Sequence, residues 1–222
     1  MISYVFLGLF AAAAVVNLIG SAKGNAGMSN ISKPVLLSSL CLYVLFSGLP
    51  TPDFLFMGAL SACFLGDVLL MLNGDVWFTA GGVSFFAGHV MLIFIFARYV
   101  NFGRLPLAAI IPAAALYLFA TVFVMARSYK KAPKLMFVPL LLYLVCNFVM
   151  NLFAMTRMIS EPSFWSVLSF VGAVLFFLSD CILFLCRYDE EHPRFYKTDF
   201  YVMLTYISGV CFITVGLVPF LS

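Results

Sequence analysis

Long apolar runs separated by short polar breaks dominate the chain. They predict eight helices, at Ile2–Ile19, Pro34–Leu49, Phe54–Leu72, Thr79–Ala97, Leu107–Met125, Leu135–Met155, Phe164–Leu185 and Phe200–Leu221. Each has close to the roughly 20 residues that cross a bilayer's hydrocarbon. Only helices and closed barrels satisfy their backbone polar groups in lipid, and these runs are too long and continuous for barrel strands. Pro34 is placed to open the second helix, where a missing N–H costs nothing. A Gly/Ser/Asn-rich stretch with Lys23 and Lys33 reads as the first loop, and Pro50-Thr51-Pro52 as a turn. Arg127–Lys134 reads as a basic loop and Arg187–Asp199 as the longest polar one. The N-terminus lacks a basic n-region, so the first run reads as a membrane helix despite Ala11–Ala14, which resemble a cleavage site.

Composition narrows the class. The 222 residues are 64% hydrophobic and only 9% charged, with a mean hydropathy of +1.12. Soluble domains carry about a quarter charged residues, so a soluble enzyme, a disordered chain and a disulfide-stapled domain are excluded. Eight spans would use about 160 residues, which leaves one eight-helix transmembrane domain over residues 1–222. The net charge of +3 is scattered through loops, so no nucleic-acid partner is expected. Cys41, Cys63, Cys146, Cys181, Cys186 and Cys211 all lie in apolar runs, form no CxxC pair and read as reduced packing residues. Lys and Arg concentrate after the odd-numbered helices, nine against three on the other side. The positive-inside rule then puts those loops in the cytoplasm and both termini opposite. On that topology the sequon Asn30-Ile31-Ser32 is cytoplasmic and unused.

Two segments repeat. Phe64-Leu65-Gly66-Asp67-Val68-Leu69-Leu70 matches Phe177-Leu178-Ser179-Asp180-Cys181-Ile182-Leu183, and Val90-Met91-Leu92 matches Val202-Met203-Leu204. Pro34 and Cys41 likewise answer Pro139 and Cys146. Four helices separate each pair, which suggests parallel four-helix repeats at 1–100 and 105–222.

The repeats carry the chemistry. Of nine acidic residues, only Asp67 and Asp180 lie well inside spans. An intramembrane carboxylate costs roughly 2.5–3.5 kcal/mol and by default marks function, although a lone one also serves as an interhelical hydrogen bond. Each lies five residues before its predicted helix end, about 7 Å inside the cytoplasmic boundary. Gly66 and Ser179 precede them and allow close helix approach. Two carboxyls facing one cavity are expected to share a proton, an acid beside a base. His89 lies mid-span and reads either as a partner of an Asp or headgroup, or as a hydrogen-bonded packing residue. Lys33, Ser38, Ser39, Tyr143, Asn147, Tyr201, Thr205 and Tyr206 are the other polar candidates for a cavity lining. No metal and no cofactor are expected: His192 is far along the chain from His89, and no HxxxH, HExxH, GxSxG or phosphate-loop pattern occurs. Gly81-Gly82 sits in an apolar run and reads as helix packing.

The ordered motifs resemble those of the YhhN-type lysoplasmalogenases, a family of eight-helix membrane proteins. Ser32-Lys33-Pro34 is similar to the family's KP motif, and Leu65-Gly66-Asp67 to its GD motif. Phe85-Phe86-Ala87-Gly88-His89 is similar to F-x-x-x-H, and Gly172-Ala173-Val174-Leu175-Phe176-Phe177-Leu178-Ser179-Asp180 to GAxLFxxSD. Tyr206 stands where the last helix carries a tyrosine, but the glutamine that follows in the family is Ser208 or Gly209 here. The resemblance implies hydrolysis of the vinyl ether of lysoplasmalogens to a fatty aldehyde and a glycerophospho-headgroup. Asp67 and Asp180 would be catalytic, with His89, Lys33, Ser179, Tyr143, Asn147 and Tyr206 supporting. The implied partners are a lysophospholipid substrate and membrane lipid. A proton-coupled transporter or lipid-binding protein is the alternative for the same carboxyls. An intramembrane aspartyl protease fits less, because Phe64 stands where its GxGD motif needs glycine and no YD or PAL motif occurs.

Overall fold

The computed structural model describes residues 2–49, 53–105, 107–128, 132–133, 136–188 and 197–221. Among these there are eight α-helices and no strand. They are α1 (Ile2–Ala22), α2 (Ala26–Leu45), α3 (Phe54–Leu70), α4 (Asp75–Arg98), α5 (Leu107–Ser128), α6 (Phe137–Ser160), α7 (Phe164–Tyr188) and α8 (Thr198–Leu217). Seven are long and apolar enough to cross a bilayer. The other, α3, has 17 residues, about 26 Å of helix. The chain is a polytopic all-α membrane protein. The Pro50-Thr51-Pro52 turn, Lys130, Lys131, Lys134, His192 and Arg194 lie outside the described residues.

Neighbouring helices pack α1 on α2, α2 on α3, α3 on α4, α4 on α6, α6 on α7, α7 on α8 and α8 back on α1. This closes a ring, with α5 outside it against α6 and α7. Lipid tails supply no hydrophobic drive between helices, so close packing must hold them. The α7–α8 seam shows how. A Cβ on Gly172 would lie 2.6 Å from the Ile213 nitrogen, and one on Gly216 2.7 Å from the Ser169 nitrogen. The two backbones touch, and only glycine fits between them.

The second helix begins earlier than the sequence predicts. Asn25 caps α2 through a bond from the Met28 N–H (3.2 Å), so Pro34 and Lys33 lie inside the helix, not at its start or in a loop. The reason is tertiary. Asn17 of α1, fully buried, donates from Nδ2 to the Ser29 carbonyl (2.9 Å) and to Ser32 Oγ (3.0 Å). These bonds pin a stretch whose own composition favours loop. Asn17→Leu is expected to lower stability by about 1–3 kcal/mol, because the serines it holds lose a buried partner; thermal unfolding in detergent measures it.

Asp53 caps α3 by accepting from the Phe56 N–H (2.9 Å) and also takes Arg98 Nη1 (2.7 Å). The two glycines in α4 divide. A Cβ on Gly81 would meet Leu70 at 3.0 Å, whereas one on Gly82 meets nothing within 4 Å. Gly81 is a packing residue and Gly82 is not, which corrects half of the sequence reading. Towards the end of the bundle where α3 and α7 begin, Val44, Phe56, Ile95, Phe96, Met150 and Leu217 form a fully buried apolar layer. Arg157 is also buried there, donating to Ser169 Oγ (2.8 Å) under the Phe220 ring.

Candidate active site

Helices α3 and α7 bring Asp67 and Asp180 to one cavity of about 250 Å³, walled also by Lys33, Phe85, Ser179, Arg187 and Tyr206. Both carboxyls are almost fully buried, 5% and 6% exposed. Their distances from their helix ends differ, where the sequence predicts five residues for each. Asp67 is three residues from the end of α3, and Asp180 is eight from the end of α7, because α3 stops at Leu70 while α7 continues to Tyr188.

Each carboxyl is held through one oxygen. Asp67 Oδ2 accepts from the Tyr206 hydroxyl (2.7 Å). Asp180 Oδ2 accepts from the Tyr143 hydroxyl (2.8 Å) and from Asn147 Nδ2 (2.6 Å). Among the described residues no hydrogen bond reaches either Oδ1, so each keeps an oxygen for a proton or for water. Asn147 is fixed in turn by Asn151, whose Nδ2 donates to it (3.1 Å) and whose Oδ1 accepts from Tyr117 (3.1 Å). Ser179 Oγ donates to the Val202 carbonyl (3.0 Å), tying α7 to α8 beside the pair.

The i, i+4 spacing of Phe85 and His89 sets the histidine. Nδ1 lies 2.7 Å from the Phe85 carbonyl, which only accepts, so Nδ1 carries the proton. Nε2 stands 3.7 Å from Asp180 Oδ2 and has no hydrogen-bond partner. The Phe85 ring covers Gly66, where a Cβ would fall 2.6 Å from it. It also meets Phe176 and Tyr206 edge-on. Phe78 and Phe85 are aromatic lining residues that reading the sequence did not assign to the site; nothing in composition separates them from the chain's other phenylalanines.

Of the eight residues expected to be catalytic or supporting, Lys33, Asp67, Ser179, Asp180 and Tyr206 wall the cavity, while Tyr143, Asn147 and His89 stand against Asp180. Ser38, Ser39 and Thr205 do neither; they bond back to carbonyls of their own helices. Tyr201 is half exposed on the outside. Lys33 also walls a wider polar mouth of about 490 Å³ with Ser29, Asn73 and Asp199. Arg187, at the cavity edge, pairs with Asp75 at the start of α4 and lies over the Phe78 ring. Among the described residues, no group of three or more His, Cys, Asp or Glu is arranged to hold a metal.

The motifs and their placement agree with the comparison to known families, in which the YhhN family model matches residues 28–217. The chain belongs to the YhhN family. This is the lysoplasmalogenase family, and membership supports a lysoplasmalogenase-type function. No curated protein and no solved structure gives a significant match. The YhhN motifs now have physical content. The serine before the KP pair holds α1, and its lysine walls the cavity. The GD and SD motifs supply the carboxyls, and F-x-x-x-H supplies an aromatic wall and an oriented imidazole. At Gly209, one of the two positions open to that glutamine, a Cβ would lie 2.8 Å from the Phe176 nitrogen, so no side chain fits there.

Proposed function

We propose that the chain hydrolyses the vinyl ether of lysoplasmalogens, 1-alkenyl-glycerophosphoethanolamine or -choline, by acid–base catalysis at Asp67 and Asp180. The observation that carries the reading is the meeting of the two deep carboxyls in one cavity beside Lys33. A vinyl ether needs no strong nucleophile. One carboxylic acid gives its proton to the β-carbon, and the C=C electrons form the new C–H bond. The resulting oxocarbenium ion is stabilised by the second carboxylate, which also takes a proton from the attacking water. Glycosidases surround a similar cation with two carboxyls. The hemiacetal then breaks its bond to glycerol oxygen, giving the aldehyde and the glycerophospho-headgroup. No redox step and no cofactor enter this sequence.

Surrounding groups suit the steps. The aromatic ring of Phe85 in the cavity wall suits a passing cation. Tyr206, Tyr143 and Asn147 hold the carboxyls in place, and His89 Nε2 offers an acceptor beside Asp180. Lys33 supplies charge for the headgroup phosphate. Lys23, Arg127, Arg187 and Lys197 lie at the end of the bundle where the cavity opens, so the positive-inside rule points its mouth to the cytoplasm.

The test is aldehyde release from a defined lysoplasmalogen by the purified protein in micelles, with and without a chelator. Chelator-insensitive release is expected. Uptake of lysolipid into proteoliposomes with no aldehyde formed would overturn the reading and assign the carboxyls to proton-coupled transport.

A further inference from the structure

We propose that the groove between α4, α6 and α7 seats the hydrocarbon chain of the lysolipid, and that Gly82 determines how much chain it takes. This rests on the hydrolase reading above. The groove has a volume of about 340 Å³ and is walled by Phe78, Gly82, Phe86, Leu140, Tyr143 and Phe184 among others. Its lining is almost wholly hydrocarbon and aromatic. The hydroxyl of Thr79 is turned to the Asp75 carbonyl (2.7 Å), and that of Tyr143 to Asp180.

Two contacts join the groove to the carboxyls. The Phe78 side chain walls both the groove and the polar cavity. Tyr143 presents its ring to the groove while its hydroxyl lies 2.8 Å from Asp180 Oδ2. The groove and the carboxyls are thus one side chain apart, the nearness that the reaction requires, because the carbon to be protonated is the second of the chain. A headgroup at Lys33, a vinyl ether at the aspartates and a chain leaving past Phe78 and Tyr143 form one path.

The groove also opens the right way. It follows α4 from Thr79 to Phe86 and α6 from Met136 to Tyr143, each about 10 Å of helix within one leaflet. Val83 and Leu142 on its rim are 62% and 55% exposed, facing lipid. A single chain already in the bilayer enters sideways without crossing water.

Gly82 is the control point. A Cβ there meets no neighbour within 4 Å and Gly82 is part of the groove wall, so a larger side chain is expected to extend into the groove without displacing a helix. The experiment compares wild type with Gly82→Leu and Gly82→Phe on lysoplasmalogens of short and long alkenyl chain. For the variants, kcat/KM on the long chain is expected to fall at least tenfold relative to the short chain. A chain-length profile identical to wild type overturns the proposal. Failure of the hydrolase reading shows separately, as no aldehyde from wild type on any substrate. In that case a lysolipid carrying a photoreactive group at its chain end still tests the groove. It is expected to label α4 and α6 of wild type and to label Gly82→Phe several-fold less; equal labelling, or labelling elsewhere, overturns the proposal.

Discussion

Asparagine in place of Asp67 or of Asp180 is expected to cut aldehyde release by about 10²–10⁴-fold, the usual worth of a positioned general acid or base, while the protein stays folded. The geometry makes asparagine the informative substitution. Both donors to Asp180 converge on Oδ2, so an amide oxygen in that position accepts from Tyr143 and Asn147 as before. Asp67 needs only to accept from Tyr206. What the amide lacks is a transferable proton and a negative charge. Alanine would be a poorer probe, since each orphaned buried donor costs about 1–3 kcal/mol and folding defects would mix with chemistry. Turnover retained in both purified asparagine variants would remove the acid–base pair from the mechanism.

A large stability loss is expected at Gly209, one of the three glycines in the α7–α8 seam. A Cβ there would lie 2.8 Å from the Phe176 nitrogen and 2.9 Å from the Gly172 carbonyl oxygen. Backbone cannot rotate aside, so Gly209→Val forces α7 and α8 apart. Overpacking typically costs about 1–3 kcal/mol and occasionally more. In lipid no hydrophobic term between the helices offsets it. The same movement shifts Asp180 on α7 relative to Tyr206 on α8, whose hydroxyl holds Asp67, so activity is expected to fall with stability. A thermal midpoint in detergent checks this against Gly8→Val, where a Cβ has open space and a change within about 0.5 kcal/mol is expected. Equal midpoints for the two variants would show that the seam is not what holds these helices together.

How much of this could be read from the residues depended on scale. A span announces itself through some twenty consecutive apolar residues, so the helices were legible. Asp67 and Asp180 were legible because a carboxyl in such a run is costly and these two recur in matching strings. Helix ends were less so. The start of α2 depends on Asn17, a residue of another helix, and no local signal around Asn25 to Ser32 carries that. The unequal distances of the two aspartates from their helix ends follow from where α3 stops and how far α7 continues, while their matching motifs suggest equality. Arg157 reads as an interfacial arginine near a loop, yet the rings of Phe96, Tyr99 and Phe220 enclose it. The chain groove was invisible, because its walls are ordinary apolar residues and its distinguishing feature is the space beside Gly82.

The buried layer of Val44, Phe56, Ile95, Phe96, Met150 and Leu217 has a consequence for acidity. It lies between the carboxyls and the far face of the membrane, and the polar chain from Asp180 through Asn147 and Asn151 stops at Tyr117. Water and protons are therefore expected to reach the aspartates from one compartment alone. In proteoliposomes with the protein in a single orientation, hydrolysis should track the pH on the cavity side and ignore a jump of the same size on the other. Such an enzyme is a one-sided sensor, set by the compartment that supplies its water and indifferent to the gradient across the bilayer that holds it.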